Sequence, residues 1–166
     1  GFCYSRLANP TVAAFEGKIA AMEGGVAAVA TTSGQTANAL AIMNLASSGD
    51  HVVAVSSLYG GTVSLFSNTL KRSGIRFTFI SPEATDAEID AAVLPETKAL
   101  FAETLANPAL AGLDIERFAA AAHRHGLPLI VDNTFPPPVL CNPFRFGADI
   151  VTHSTTKYID GHASIL

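Results

Sequence analysis

Apolar residues recur along this chain in two rhythms, and turn residues separate them. Val12, Phe15, Ile19 and Met22 fall at spacings of three and four, which predicts a helix with one apolar face. Asn9 can cap its free amides, Pro10 suits its first position, and Gly24-Gly25 supply a left-handed exit. The apolar run 26–30 predicts a buried strand. A helix over 35–46 follows, ending before Gly49-Asp50, and His51–Val55 forms the next strand. Thr62 is placed to cap a helix running to about Ser73 and closed by Gly74, with a strand over 76–80 behind it. Thr85-Asp86-Ala87-Glu88 has the form of a capping box and opens a short helix before Pro95. A strand over 99–103, a helix capped by Asp114 and ended by Gly126, and strands over 129–131 and 150–152 complete the series.

Short strands that are apolar on both faces and alternate with helices predict an α/β fold: a mostly parallel sheet with helices on both faces, in three layers. No fixed repeat, low-complexity tract or linker divides the 166 residues, so one domain over 1–166 is expected. With 49% apolar and 14% charged residues and a mean hydropathy of +0.34, much of the chain expects cover from protein, as buried strands or a subunit interface. A net charge of -4 without a run of like charges argues against nucleic acid or an anionic membrane as partner. Cys3 and Cys141 fit neither a disulfide framework nor a zinc site, so no metal is expected and a reducing cytoplasm fits best. No apolar stretch reaches the ~18 residues of a membrane helix. The chain opens at Gly1 inside a polar motif and stops in an apolar run, as expected of part of a longer polypeptide.

In open α/β sheets ligands bind beyond the carboxyl ends of strands, so the residues after each strand are the candidates. Ser33-Gly34-Gln35 forms a tight turn feeding a helix N-terminus, where free amides and the helix dipole suit a phosphate; such turns are also common without a ligand. Tyr59 stands on a loop, where a flat cofactor ring could stack on it or where it could simply pack at the domain edge. Asp132 leaves the apolar strand 129–131 and precedes Asn133-Thr134. A buried carboxylate there needs a cation or several donors, and a pyridinium nitrogen would be one such cation; capping the next loop is an equal alternative. Ser154-Thr155-Thr156-Lys157 follows the strand 150–152. A lysine in a dry pocket becomes nucleophilic, although surface lysines are far more common. Together, Lys157 and Asp132 offer the two electronic handles that pyridoxal 5'-phosphate (PLP) requires. His123, Arg124 and His125 end a helix and suit its negative pole, while His153 and His162 read as structural. Neither GxGxxG nor GxxxxGK[ST] occurs, which disfavours dinucleotide and P-loop sites.

Taken in order, Tyr4-Ser5-Arg6 with Asn9-Pro10-Thr11, Ser33-Gly34-Gln35, Tyr59-Gly60-Gly61-Thr62, Glu103-Thr104 with Asn107-Pro108, Asp132-Asn133-Thr134-Phe135, and Ser154 to Lys157 with Gly161-His162 resemble the Cys/Met-metabolism PLP-dependent enzymes of fold type I over essentially the whole chain. The resemblance implies PLP held as a Schiff base on Lys157, which would also move the substrate's alpha proton. It implies Asp132 at the pyridine nitrogen, Tyr59 stacked on the ring, and Asn107 near the phenolic oxygen. Gly34, Gln35, Ser33, Ser154 and Thr156 would hold the phosphate, with Thr134 beside Asp132. Tyr4 and Arg6 would reach the phosphate of a neighbouring subunit, so a homo-oligomer is expected, at least a dimer and as a whole a tetramer. Gln35, the run 103–108 and Leu140-Cys141-Asn142-Pro143 look most like the O-acetylhomoserine sulfhydrylase branch, implying a gamma-replacement that gives homocysteine and acetate. Cystathionine gamma-synthase, methionine or cystathionine gamma-lyase, or a catalytically dead α/β binding module are the alternatives. The resemblance further implies a PLP-binding large domain over 1–166, with a smaller C-terminal domain carrying the arginine for the substrate carboxylate beyond Leu166.

Overall fold

The computed structural model describes residues 2–165. Helix α1 spans Pro10–Glu23 and α2 spans Gly34–Leu45. Five strands follow, β1 His51–Val55, β2 Arg76–Ile80, β3 Thr97–Glu103, β4 Leu129–Asp132 and β5 Ile150–Thr152, separated by α3 Gly60–Ser64, α4 Asp86–Ala92 and α5 Ile115–Arg124. All pairings are parallel and the order is β2-β1-β3-β4-β5. The expected α/β class is therefore what the chain adopts.

Most of the local signals act as their chemistry requires. Asn9 Oδ1 accepts the amides of Thr11 and Val12, and Gly24 leaves α1 at φ 75°. Thr85 and Glu88 close a reciprocal capping box, and Asp114 caps α5. Two expectations fail. The helix expected from Thr62 begins at Gly60, because the Tyr59 carbonyl already receives the Thr62 and Val63 amides; after Ser64 it continues as a π-helical stretch, Leu65–Leu70. Thr62 is fully buried inside that helix and is no cap.

The second failure is the strand over 26–30. No strand forms there: Val26 and Val29 are exposed, and the Ala30 amide donates to Glu16 Oε1 at 2.7 Å. A strand exists only where a neighbour completes its ladder, and an apolar run specifies its own burial without supplying that neighbour.

The core lies against both faces of the middle strands, where Val52–Val55, Leu100–Ala102 and Leu129–Val131 are buried. Phe66 of the π-helical stretch stacks on Phe77 at 4.6 Å and meets Phe101 edge-on at 4.9 Å, tying that helix to β2 and β3. Even the polar start of β1 is satisfied: burial and then Arg76 lower the His51 pKa, and the neutral ring bridges Thr97 Oγ1 at 2.8 Å and Thr78 Oγ1 at 2.9 Å. Because Phe66 is fully buried between two aromatic rings, Phe66→Ala is expected to cost about 3–5 kcal/mol in denaturant unfolding. A loss below about 1 kcal/mol would contradict this packing.

Candidate active site at the carboxyl ends of the strands

Register decides which side chains meet. Glu103 pairs with Asp132, and Asp132 with Thr152, so these three final strand residues point to one face. Phe101 lies on the same face, which is the one covered by α2 and the helix from Gly60. Asn38 of α2 is buried between the strand ends: its Nδ2 donates to Asp132 Oδ2 at 2.9 Å and its Oδ1 accepts from Thr152 Oγ1 at 2.6 Å. Thr134 turns back to give Asp132 Oδ1 both its amide, at 3.1 Å, and its hydroxyl, at 2.5 Å. The same hydroxyl accepts the Ser154 amide at 2.9 Å. Asp132 thus receives three donors, all neutral, and among the described residues no ion pair compensates its charge.

The opposite face carries the alternate residues. Glu23, the last residue of α1, is buried and accepts from Asn133 Nδ2 at 3.2 Å and from His153 Nε2 at 2.5 Å. Asn133 also donates to the Cys141 carbonyl and accepts from Thr104 Oγ1 at 2.8 Å. His153 is thereby tied to the end of α1, while its Nδ1 is buried without a hydrogen-bond partner among the described residues.

The turn before α2 is pressed onto this frame. A Cβ on Gly34 would stand 2.7 Å from Ser154 Cβ and 2.9 Å from its Cα, so only glycine allows α2 to approach β5 so closely. Ser33 caps α2 by accepting the Thr36 amide at 3.1 Å, leaving Gly34 and Gln35 in the first turn, whose amides have no partner within a helix. The Gln35 side chain is engaged with Thr62 Oγ1 at 3.1 Å, so its amide is the group free for an anion. Ser33, Gly34, Ser154, Thr134 and Asp132 are thus joined. Thr156, half-buried, and Lys157, exposed, stand on the turn that continues from β5. Asn107 is half-buried in the loop after β3. Tyr4 and Arg6 are exposed ahead of α1, with the guanidinium 5.2 Å from the tyrosine ring, and no hydrogen bond or ion pair among the described residues joins them to the strand ends.

Tyr59 is half-exposed, and its amide donates to Glu103 Oε1 at 2.8 Å. Burial raises the Glu103 pKa to about 7; the Tyr59 amide opposes the shift and the nearby Asp132 charge adds to it. Asn38, Glu23 and the bond from Glu103 to Tyr59 escape the reading of the sequence. The available signal is a polar residue within an apolar helix, and an acid at a strand exit.

A model of the family described as Cys/Met metabolism PLP-dependent enzyme matches residues 1–166. The chain is 51% identical over 164 residues to the O-acetyl-L-homoserine sulfhydrylase of Corynebacterium glutamicum, covering 99% of this chain and 38% of that protein. It is 46% identical over 170 residues to the homocysteine/cysteine synthase of Saccharomyces cerevisiae, covering 100% of this chain and 37% of that protein. A crystal structure from Campylobacter jejuni, named for O-acetylhomoserine (thiol)-lyase and containing N'-pyridoxyl-lysine-5'-monophosphate, superposes with a TM-score of 0.95 at 40% identity, covering 98% of this chain and 40% of that one. The chain therefore spans less than half the length of these relatives.

The raised Glu103 pKa has a testable consequence. Folded Glu103 keeps its proton up to about pH 7, whereas the unfolded side chain loses it above about 4.5, so the contribution of Glu103 to wild-type stability falls as pH rises between these values. Glu103→Gln does not titrate. Its stability relative to wild type is expected to grow through that interval and level off above it, by on the order of 1–3 kcal/mol. Urea unfolding across the range checks this; a difference that does not vary with pH would contradict it.

Proposed function

We propose, for this chain, which belongs to the Cys/Met metabolism PLP-dependent enzyme family, the role of the cofactor-binding large domain of an enzyme that replaces the γ-acetoxy group of O-acetylhomoserine with sulfide or a thiol, the Cγ–O bond breaking and a Cγ–S bond forming, to give homocysteine or a homologue and acetate. The observation that carries the reading is Asp132: a carboxylate held by three neutral donors at a strand exit, one strand away from the turn that bears Lys157. Relatives named O-acetyl-L-homoserine sulfhydrylase, at 46–51% identity, support the branch.

The donor set fits PLP. Asp132, whose three donors are all neutral, keeps its charge available to a cation and would hold the protonated ring nitrogen. The Gly34 and Gln35 amides at the head of α2, with the hydroxyls of Ser33, Ser154 and Thr156, suit a phosphate. Tyr59 offers a ring to stack, and Asn107 an amide for the phenolic oxygen. When bound, PLP supplies an electron sink. Lys157 would hold the cofactor covalently and carry the substrate's alpha proton, while Asp132 keeps the ring nitrogen charged. The exposed Tyr4 and Arg6 would serve the phosphate of a neighbouring subunit, making the working unit at least a dimer and as a whole a tetramer; Arg6 suits bidentate phosphate binding. The remaining length of the relatives leaves room for a smaller domain carrying the arginine that binds the substrate carboxylate. No helix among the described residues is long and apolar enough to cross a membrane, and a cytoplasmic setting is part of the proposal.

The purified holoenzyme is expected to form homocysteine from O-acetylhomoserine and sulfide, and Lys157→Ala to lose both that activity and the yellow cofactor band that borohydride fixes to the protein. Use of O-succinylhomoserine with cysteine alone, or degradation of methionine alone, would overturn the assignment.

A further inference from the structure

Tyr59 stands at the head of α3, and its immediate neighbours determine where its ring lies. Its amide donates to Glu103 Oε1 at 2.8 Å, while its carbonyl receives the Thr62 and Val63 amides at 2.8 and 3.0 Å. The ring lies back over Gly61, where a Cβ would come within 2.5 Å of Cε1, 3.1 Å of Cδ1 and 3.3 Å of Cζ. The three atoms nearest to that Cβ all belong to the Tyr59 ring. Glu103 is only 7% exposed and stands beside Asp132 in the register of β3 and β4. A carboxyl in that place is costly, through lost hydration and through its neighbour's charge. The hydrogen bond described for its side chain goes to the residue that carries the ring.

We infer that Glu103 and Gly61 are positioning residues for the Tyr59 ring: the buried carboxyl anchors its backbone from below, and the missing side chain at Gly61 leaves the space in which the ring settles as a platform for a planar cofactor. The inference rests on the PLP reading above. Anchoring depends on the acceptor oxygen and not on charge, because a protonated carboxyl still offers its carbonyl oxygen to the amide. Glutamine therefore replaces Glu103 in this role, and methionine, of similar length, does not.

The test uses the holoenzyme, with Glu103→Met, Glu103→Gln and Gly61→Ala each made in the Tyr59 and the Tyr59→Ala backgrounds. Cofactor dissociation and the visible circular dichroism of the bound cofactor are the readouts. Glu103→Met and Gly61→Ala are each expected to weaken the cofactor roughly 3- to 10-fold and to change the dichroism when Tyr59 is present, the range expected for a misplaced aromatic contact. Both effects should nearly vanish when Tyr59 is alanine, since the coupling runs through the ring, and Glu103→Gln should restore most of the loss. Equal losses in the two backgrounds, or no loss, would overturn the inference. If Glu103→Met does not fold, the Gly61→Ala pair decides by the same criterion. Wild type that carries PLP on Lys157 without this coupling overturns the positioning role alone; wild type that never takes up PLP overturns the functional reading as well.

Discussion

The carboxylate of Asp132 is the group around which the strand ends are organised. An ionised side chain at the exit of a buried strand is costly unless donors surround it, and three converge here, from Asn38 and from the amide and hydroxyl of Thr134. Two of those groups have a second task. Asn38 also takes the Thr152 hydroxyl and so links α2 to β5; the Thr134 hydroxyl takes the Ser154 amide and so fixes the start of the turn that leads to Lys157. Satisfying one charge thereby aligns two strand ends and a helix.

Alternation along the strands doubles this arrangement. Asp132 and Thr152 point to the α2 face, so Asn133 and His153 point the other way, where Glu23 binds both. The ends of β4 and β5 are held from two sides by polar networks in which Asn38, Thr152, Asn133 and Glu23 are buried. Gly34 completes the frame, because its missing side chain lets the amides at the head of α2 come up to Ser154. The surroundings suited to a phosphate are thus built from backbone close approach as much as from side chains.

Much of this was legible in the sequence, and what was not legible shares a cause. The bounds of β1, β2 and β5, the caps at Asn9, Thr85 and Asp114, and the placement of Asp132 at the end of one strand and of Lys157 after another follow from local chemistry that each segment carries alone. The strand expected over 26–30 failed because pairing needs a partner that periodicity does not name. The helix from Gly60 began early because the Tyr59 carbonyl, and not the Thr62 hydroxyl, receives its first amides. Asn38 and Glu23 meet Asp132 and His153 across 94 and 130 positions, a distance over which no spacing rule operates. Glu103 was visible as part of a motif, but its bond to Tyr59 required the fold.

The central claim, that the Asp132 side chain would partner a ring nitrogen and keep it protonated, is tested most directly by the nitrogen-15 chemical shift of ring-labelled PLP bound to wild type and to Asp132→Asn. A protonated ring nitrogen is expected in wild type and an unprotonated one in the variant. An unprotonated nitrogen in wild type, or the same protonated signal in both proteins, would contradict it.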